Sequence, residues 1–230
     1  HPMAVMRTLM DWGMDEDTII AGVLHDTVED TEVTLEDIKR EFGESVAFLV
    51  DGVTKIGKAR QGMRDIDTYL PATRDNLLRL LVATGADIRV LIIKLADRLH
   101  NLRTLSALSP EKQKKIAKES LEIFAPLADR LNMGKLRVEM SDIAFSYVDP
   151  KRYKELKEII EKRNQSAEKA LKRIKNEVST VLTREKINFE INGRVKSVYS
   201  LHKKLAKYNQ NIDEVYDLTA LRVIVDDITS

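Results

Sequence analysis

The 230-residue sequence contains no cysteine. That absence removes disulfides, thiolate nucleophiles and cysteine-ligated zinc together. Any metal has to sit on His, Asp or Glu, and a reducing, cytoplasmic compartment is expected. No apolar run approaches the roughly 20 residues that span a bilayer, so no membrane partner is expected. Hydrophobic residues make up 43% and charged residues 33%, which excludes collagen-like, mucin-like and largely disordered chains and leaves apolar material for a core. An initiating methionine and a signal sequence are also missing. Opening on His1-Pro2, the sequence reads as a piece of something longer.

The formal net charge of +1 conceals an asymmetry. Residues 1–150 carry 20 Lys and Arg against 25 Asp and Glu, a net of −5, whereas residues 151–210 carry 17 against 7, a net of +10. An acidic front and a basic rear point to two parts with different partners. From 151 to 198 the basic part has only Tyr153 and Phe189 as aromatics, too few to stack nucleic-acid bases.

The front reads as helices. Pro2 fits a first helical position, with Met3, Val5, Met6, Leu9 and Met10 as an apolar stripe and Gly13 as the stop. Asp15 to Thr18 start a second helix whose core face is Ile19, Ile20, Val23 and Leu24. Thr34 fits an N-cap for 35–41, with Gly43 ending that helix. Gly57, Gly62, Pro71 and several charges make 57–71 a mobile loop. Helices are expected at about 73–84, 87–105, 110–131 and 135–147. A charged helix follows over 150–184, with Leu156, Ile159, Ile160, Ala167, Leu171, Ile174 and Val178 as its stripe. Its bland reading is a solvated connector. Ile187, Phe189 and Ile191 then alternate with polar residues before Asn192-Gly193, a strand running into a turn. Ser197–Lys207 reads as helix and Leu221–Val225 as strand. The fold class is therefore mainly α: an all-helical domain over 1–149, a connector over 150–184, and the incomplete start of an α/β unit over 185–230.

The chemistry concentrates at His25-Asp26, at the end of the second helix. If helical geometry persists, Glu29 lies four residues beyond His25 and Asp30 four beyond Asp26, on the same side. Gly22, one turn earlier, leaves that face without a side chain and provides room for a ligand. Such a set of ionisable groups on an apolar helix is unfavourable without a cation or solvent; an exposed acidic helix end with a satisfied histidine is the other reading. Two more features favour the cation. His1 precedes a Pro-led helix, which leaves its side chain free. Asp97 interrupts Val90-Leu91-Ile92-Ile93-Lys94-Leu95-Ala96, with Asn101 and Thr104 following at +4 and +7 as a polar stripe. Imidazoles and carboxylates without sulfur suit Mn²⁺, Fe²⁺ or Zn²⁺. The pentapeptide around Asp97 recurs as Leu127-Ala128-Asp129-Arg130-Leu131, too short an echo to mark a repeat.

The segments His1-Pro2, His25-Asp26-Thr27-Val28-Glu29-Asp30-Thr31, Val50-Asp51-Gly52-Val53-Thr54-Lys55 and Lys94 to Leu105, in this order, resemble the HD-type hydrolase domain of the Rel/SpoT family. Ala125 to Leu131 matches that family's next helix. Gly193 to Ser200 and Tyr216 to Arg222 resemble the start of its synthetase domain. The resemblance implies a cytoplasmic, bifunctional enzyme of the stringent response. Its hydrolase removes the 3′-pyrophosphate of guanosine tetra- or pentaphosphate to give GDP or GTP, and its synthetase (a GTP pyrophosphokinase) transfers pyrophosphate from ATP to GDP or GTP. It places Mn²⁺ on His1, His25, Asp26 and Asp97, makes Glu29 and Asp30 the water-activating acids, and sets Asn101 and Thr104 on the nucleotide. Asp129 becomes a structural decoy; Lys55, with Lys58 and Arg60, reads either as a contact for the phosphates or as a solvated basic loop.

For the synthetase, the resemblance implies an ATP-phosphate loop at Gly193, Arg194, Lys196 and Ser197, a Mg²⁺ carboxylate at Asp217, and nucleotide-proximal Tyr199, Lys203 and Arg222. The family's second acidic ligand and its guanine-stacking aromatic fall beyond Ser230, and its basic guanine-stacking residue falls before His1. This stretch by itself is therefore expected to lack synthetase activity, and any ribosome contact is expected only through C-terminal regions outside the sequence. Two other readings remain: an HD-type phosphohydrolase of another nucleotide, and a non-catalytic regulatory nucleotide-binding module.

Overall fold

The computed structural model describes residues 1–65, 87–208, 211, 212, 215 and 219–226, with side chains given throughout except at 57–65, 166–169, 194, 195 and 219. The expected helix over 73–84 lies outside the described residues. The chain divides into two compact units, His1–Ala144 and Phe145–Ser230.

In the first unit α1 (Pro2–Asp11) begins on Pro2, whose missing N–H falls where no intrahelical partner exists. Gly13 closes the turn at φ +70°. The core stripe is narrower than expected: Val5 and Leu9 are buried, whereas Met3 and Met10 lie more than half exposed. α2 (Glu16–Leu24) is capped by Asp15, which accepts from the Thr18 amide at 3.1 Å. Its buried face is Thr18, Ala21 and Gly22, while Ile19, Ile20, Val23 and Leu24 are only half-buried. The reason is close packing of α1 on α2, which favours small residues at the contact. A Cβ on Gly22 would lie 2.3 Å from Leu9 Cδ1. Gly22 therefore accommodates a core leucine; it does not leave space for a ligand.

Helix α3 (Thr27–Asp30) is a single turn, and α4 (Leu35–Phe42) opens with a full capping box between Thr34 and Asp37. α5 (Glu44–Asp65) runs without a break through 57–65 of the loop expected over 57–71, whose remainder lies outside the described residues. Gly57 and Gly62 each weaken a helix interior by only about 1 kcal/mol, and the intervening Lys, Ala, Arg and Gln are strong helix formers. α6 (Ile88–Arg103) is the central element of this unit, with ten of its residues buried. A short 3₁₀ turn, Leu105–Ala107, leads to α7 (Pro110–Glu119). The expected continuous helix over 110–131 is interrupted by a π turn at Ser120–Phe124 before α8 (Ala125–Arg130). Pro126 lacks the N–H that would bond Glu122, so the backbone widens just ahead of it. α9 (Gly134–Val148) carries the boundary between the units.

The second unit opens with α10 (Pro150–Arg184), 35 residues long and capped by Asp149. Of its expected stripe, Leu156 and Ile160 are buried and Ile174 is 47% exposed. β1 (Phe189–Val195) pairs antiparallel with β2 (Thr219–Val225), and α11 (Val198–Leu205) lies between them in sequence. The turn expected at Asn192-Gly193 is absent: these residues stay in β1, opposite Arg222 and Leu221. Asn-Gly marks a hairpin only when the partner strand follows at once; here it arrives only after α11.

Candidate metal centre

Four side chains from three stretches of the first unit meet at one point. His1 is the N-cap residue of α1, His25 ends α2, Asp26 precedes α3, and Asp97 sits within α6. His1 Nε2 lies 3.3 Å from His25 Nε2, 3.3 Å from Asp97 Oδ1 and 3.9 Å from Asp26 Oδ2. His25 Nε2 lies 3.1 Å from Asp26 Oδ2 and 4.0 Å from Asp97 Oδ1. The donor atoms of His1, His25 and Asp97 all fall within 4.8 Å of one another. Two imidazole nitrogens and two carboxylate oxygens at such separations fit a divalent ion bound at about 2.0–2.2 Å.

The local backbone explains this convergence. The helix breaks between Leu24 and Thr27, so the expected unbroken helical face through His25 to Asp30 is replaced by a bend. Asp26 occupies an N-cap position but makes no capping bond; its carboxylate turns to the histidines instead. A stabilising cap is thus given up for the cluster. His25 Nδ1 lies 2.8 Å from the Gly22 carbonyl, which only an N–H can satisfy, leaving Nε2 with its lone pair toward the other donors.

Electrostatics favour charge at this point. Burial lowers the pKa of His25, but the hydrogen bond and charge of Asp26, with the charge of Asp97, outweigh it and hold the imidazole above its ordinary value. Burial likewise raises Asp97, and Lys94, His25 and Arg98 together more than reverse this. Asp97 is therefore a carboxylate despite being buried.

Lys94 and His100 were not among the residues singled out from the sequence. Lys94 Nζ lies 2.7 Å from Asp97 Oδ2, and Asn101 Nδ2 donates to Asp97 Oδ1 at 2.6 Å. His100 Nδ1 lies 2.8 Å from His1 Nδ1. Burial, the chain's amino terminus and Arg103 lower the His100 pKa, and Asp97 opposes them only in part. Their spacing of three residues either side of Asp97, on one helix face, was the available signal.

The other expected residues fall as follows. Glu29 and Asp30 are exposed on α3, and among the described residues no hydrogen bond or ion pair engages either carboxylate. The Thr104 hydroxyl donates to the His100 carbonyl at 3.0 Å. Lys55 is held by Asp51 at 2.5 Å. The side chains of Lys58 and Arg60 lie outside the described residues. Asp129 pairs with Arg137 at 2.9 Å on the surface, away from the four donors.

In the second unit Gly193 is mid-strand, and the Ser197 hydroxyl caps α11 by accepting from the Ser200 amide at 3.3 Å. Tyr199 packs on Phe145 at 5.4 Å between ring centroids, and Lys203 Nζ stands 5.2 Å from the centre of the Tyr199 ring. Lys196 is half-buried and Arg222 exposed. The Arg194 side chain and Asp217 lie outside the described residues. Among the described residues, no helix is long and apolar enough to cross a membrane.

Residues 1–134 match the HD domain family, and residues 193–230 match the region found in RelA / SpoT proteins. The chain is 43% identical over 228 residues to a GTP pyrophosphokinase of Streptomyces coelicolor, covering 99% of this chain and 26% of that protein. It is 42% identical over 227 residues to a probable guanosine-3′,5′-bis(diphosphate) 3′-pyrophosphohydrolase of Synechocystis sp., covering 98% and 29%. A guanosine-3′,5′-bis(diphosphate) 3′-pyrophosphohydrolase of Aquifex aeolicus is 40% identical over 229 residues, covering 99% and 32%. The chain thus spans about a quarter to a third of the length of these relatives. A crystal structure from Listeria monocytogenes EGD-e aligns over 51% of this chain and 76% of its own, at 29% identity and a TM-score of 0.37, a likeness too slight to define the fold. With its histidine–aspartate cluster inside a match that takes in more than half its residues, the chain belongs to the HD domain family, and a stretch similar to the region found in RelA / SpoT proteins follows in order.

Proposed function

We propose that the first unit hydrolyses the 3′-pyrophosphate of guanosine tetra- or pentaphosphate, releasing pyrophosphate and GDP or GTP. The observation that carries this reading is the convergence of His1, His25, Asp26 and Asp97 one turn from two exposed carboxylates, Glu29 and Asp30, that nothing described engages. The names of the relatives from Synechocystis and Aquifex aeolicus support the substrate. His1, His25, Asp26 and Asp97 would hold a divalent ion, Mn²⁺ by the family resemblance, which when bound would supply Lewis-acid charge that brings water's acidity toward neutral pH. Glu29 accepts the proton of the attacking water, and Asp30 relays it. The water oxygen bonds to the phosphorus attached to O3′, the P–O3′ bond breaks, and O3′ takes up a proton. Asn101 and Thr104 hold the nucleotide and Lys55 its phosphates, while Lys94 fixes the Asp97 carboxylate from behind. The functional divisions are a hydrolase over 1–149, a connector over 150–184 and a synthetase part from 185. We infer that the residues from Gly193 onward serve pyrophosphate transfer from ATP, with Mg²⁺, in the cytoplasm.

The test follows pyrophosphate release from guanosine tetraphosphate with Mn²⁺, alongside deoxynucleoside triphosphates and cyclic dinucleotides. E29Q and D30N are expected to lower the rate at least about 100-fold, the usual scale for general-base loss, with the metal still bound. Loss of the metal in those variants would make the acids ligands and overturn their role. Turnover of the other nucleotides alone would overturn the substrate.

A further inference from the structure

We propose that His100 is a positioning residue that fixes the tautomer and orientation of His1 by accepting a hydrogen bond from its Nδ1–H. The inference rests on the metal reading above and extends it to a residue outside the four donors.

His1 differs from the other imidazole in how it is held. The His25 ring is completely buried and anchored by the Gly22 carbonyl within its own helix turn. The His1 side chain is 26% exposed and makes no capping bond to α1. Its Nε2 faces His25 and Asp97. Its Nδ1 lies 2.8 Å from His100 Nδ1, with the ring centroids 4.7 Å apart and the planes at 68°. Two ring nitrogens this close must share one proton, for two lone pairs would repel and two N–H groups would clash. With the proton on His1 Nδ1, His1 Nε2 keeps its lone pair for an ion. The reverse tautomer would place a proton on Nε2, 3.3 Å from His25 Nε2, and block the site. Metal-ligating histidines generally pass their second N–H to an oriented acceptor, and His100 supplies one from α6, the helix that also carries Asp97. Its backbone is fixed there by bonds from the Thr104 amide at 3.1 Å and the Thr104 hydroxyl at 3.0 Å. One rigid helix thus positions two of the four donors, Asp97 directly and His1 through His100.

The experiment titrates the protein with Mn²⁺ alone and reads free Mn²⁺ by its paramagnetic resonance signal. His100→Ala is expected to weaken binding roughly 10- to 100-fold, the usual range for such orienting partners. His100→Asn places an amide oxygen where Nδ1 stood and is expected to stay within a few-fold of the unsubstituted protein. His100→Gln keeps bulk but carries its acceptor one atom too far, and is expected to behave like His100→Ala. Thermal melting of the metal-free variants separates these effects from unfolding. Mn²⁺ affinity equal to that of the unsubstituted protein in all three variants, or no recovery in His100→Asn relative to His100→Ala, overturns the positioning role and leaves the metal reading standing. No Mn²⁺ binding by the unsubstituted protein overturns both.

Discussion

The central helix of the first unit and the long helix of the second solve opposite problems. α6 is buried nearly all round, and its charged residues Lys94, Asp97 and Arg98 lie inside with it. Each is matched: Lys94 by Asp97 at 2.7 Å, and Arg98 by Glu119 at 3.1 Å and by the Phe124 ring, 4.2 Å from its guanidinium carbon. α10 is more than twice as long yet, among its described side chains, buries only Leu156 and Ile160. Most of its described charges are exposed, and Arg173 pairs with Glu177 along the helix's own surface. Charge inside a helix bundle is tolerated only when compensated, so a buried acid such as Asp97 marks a place organised around charge. Charge on an exposed helix marks nothing of the kind.

The sharpest way to break this contrast is Asp97→Asn. It leaves the Lys94 ammonium buried without a counter-charge and removes one donor, so stability is expected to fall by about 3–5 kcal/mol. Mn²⁺ binding should be lost as well. Denaturant unfolding with and without Mn²⁺ checks both. An unchanged midpoint would mean that Lys94 reaches water and that α6 is less closed than it looks.

Gly22→Ala ranks next. The added Cβ would meet Leu9 Cδ1, and Leu9 is fully buried with little room to yield. Overpacking of this kind is expected to destabilise by about 1–3 kcal/mol. Because α1 carries His1 and α2 carries His25, parting these helices also separates two donors, and Mn²⁺ affinity should fall together with the melting temperature. A fall in stability alone would show that α1 adjusts without moving His1.

Gly22 also illustrates where the sequence could be read and where it could not. Helix starts at Pro2, Asp15 and Thr34 were legible because capping is local chemistry written within four residues. His25 and Asp97 stood out because polar residues in apolar stretches need a reason, whereas the full set of four donors came from the resemblance to the Rel/SpoT family. The role of Gly22 was not legible, since it depends on Leu9, 13 residues away. The helical course of 57–65 was missed because glycine and charge were weighed as breakers, although neither stops a helix. The course of β1 through Asn192-Gly193 depends on a strand that arrives after a whole helix. Lys94 and His100 were passed over because one is embedded in an apolar run and the other flanks a leucine; only the folded helix face shows that both turn to the same cluster.

A smaller effect concerns acid. Asp15 caps α2 and Asp87 caps α6, and Arg89 bonds both. Burial raises the Asp15 pKa, but Thr18 and Arg89 together bring it below its ordinary value; Arg89 does the same to Asp87 against a weaker effect of burial. Both folded-state pKa values thus lie below the unfolded ones. Their stabilisation is complete above an unfolded pKa of about 4 and is lost as pH falls through the lower, folded values. Arg89→Met is expected to lower the melting temperature by roughly 2–4 °C at pH 7, with the gap to the unsubstituted protein closing below about pH 4. A gap independent of pH would mean that Arg89 acts through packing and not through charge.

The smallest effect belongs to the second unit. Ile174 lies on the apolar stripe of α10 but is 47% exposed, and the stripe's buried members end at Ile160. Ile174→Lys replaces a half-exposed β-branched residue with a better helix former in a charged surface, so stability is expected to change by no more than about 0.5 kcal/mol. The same exchange at Leu156, which is fully buried, should unfold the second unit. If Ile174→Lys proved as damaging as Leu156→Lys, the far half of α10 would have to be covered by protein, and the long helix would resemble α6 after all. A neutral result keeps the two helices apart, one stabilised by what surrounds it and the other largely by its own length and surface charge.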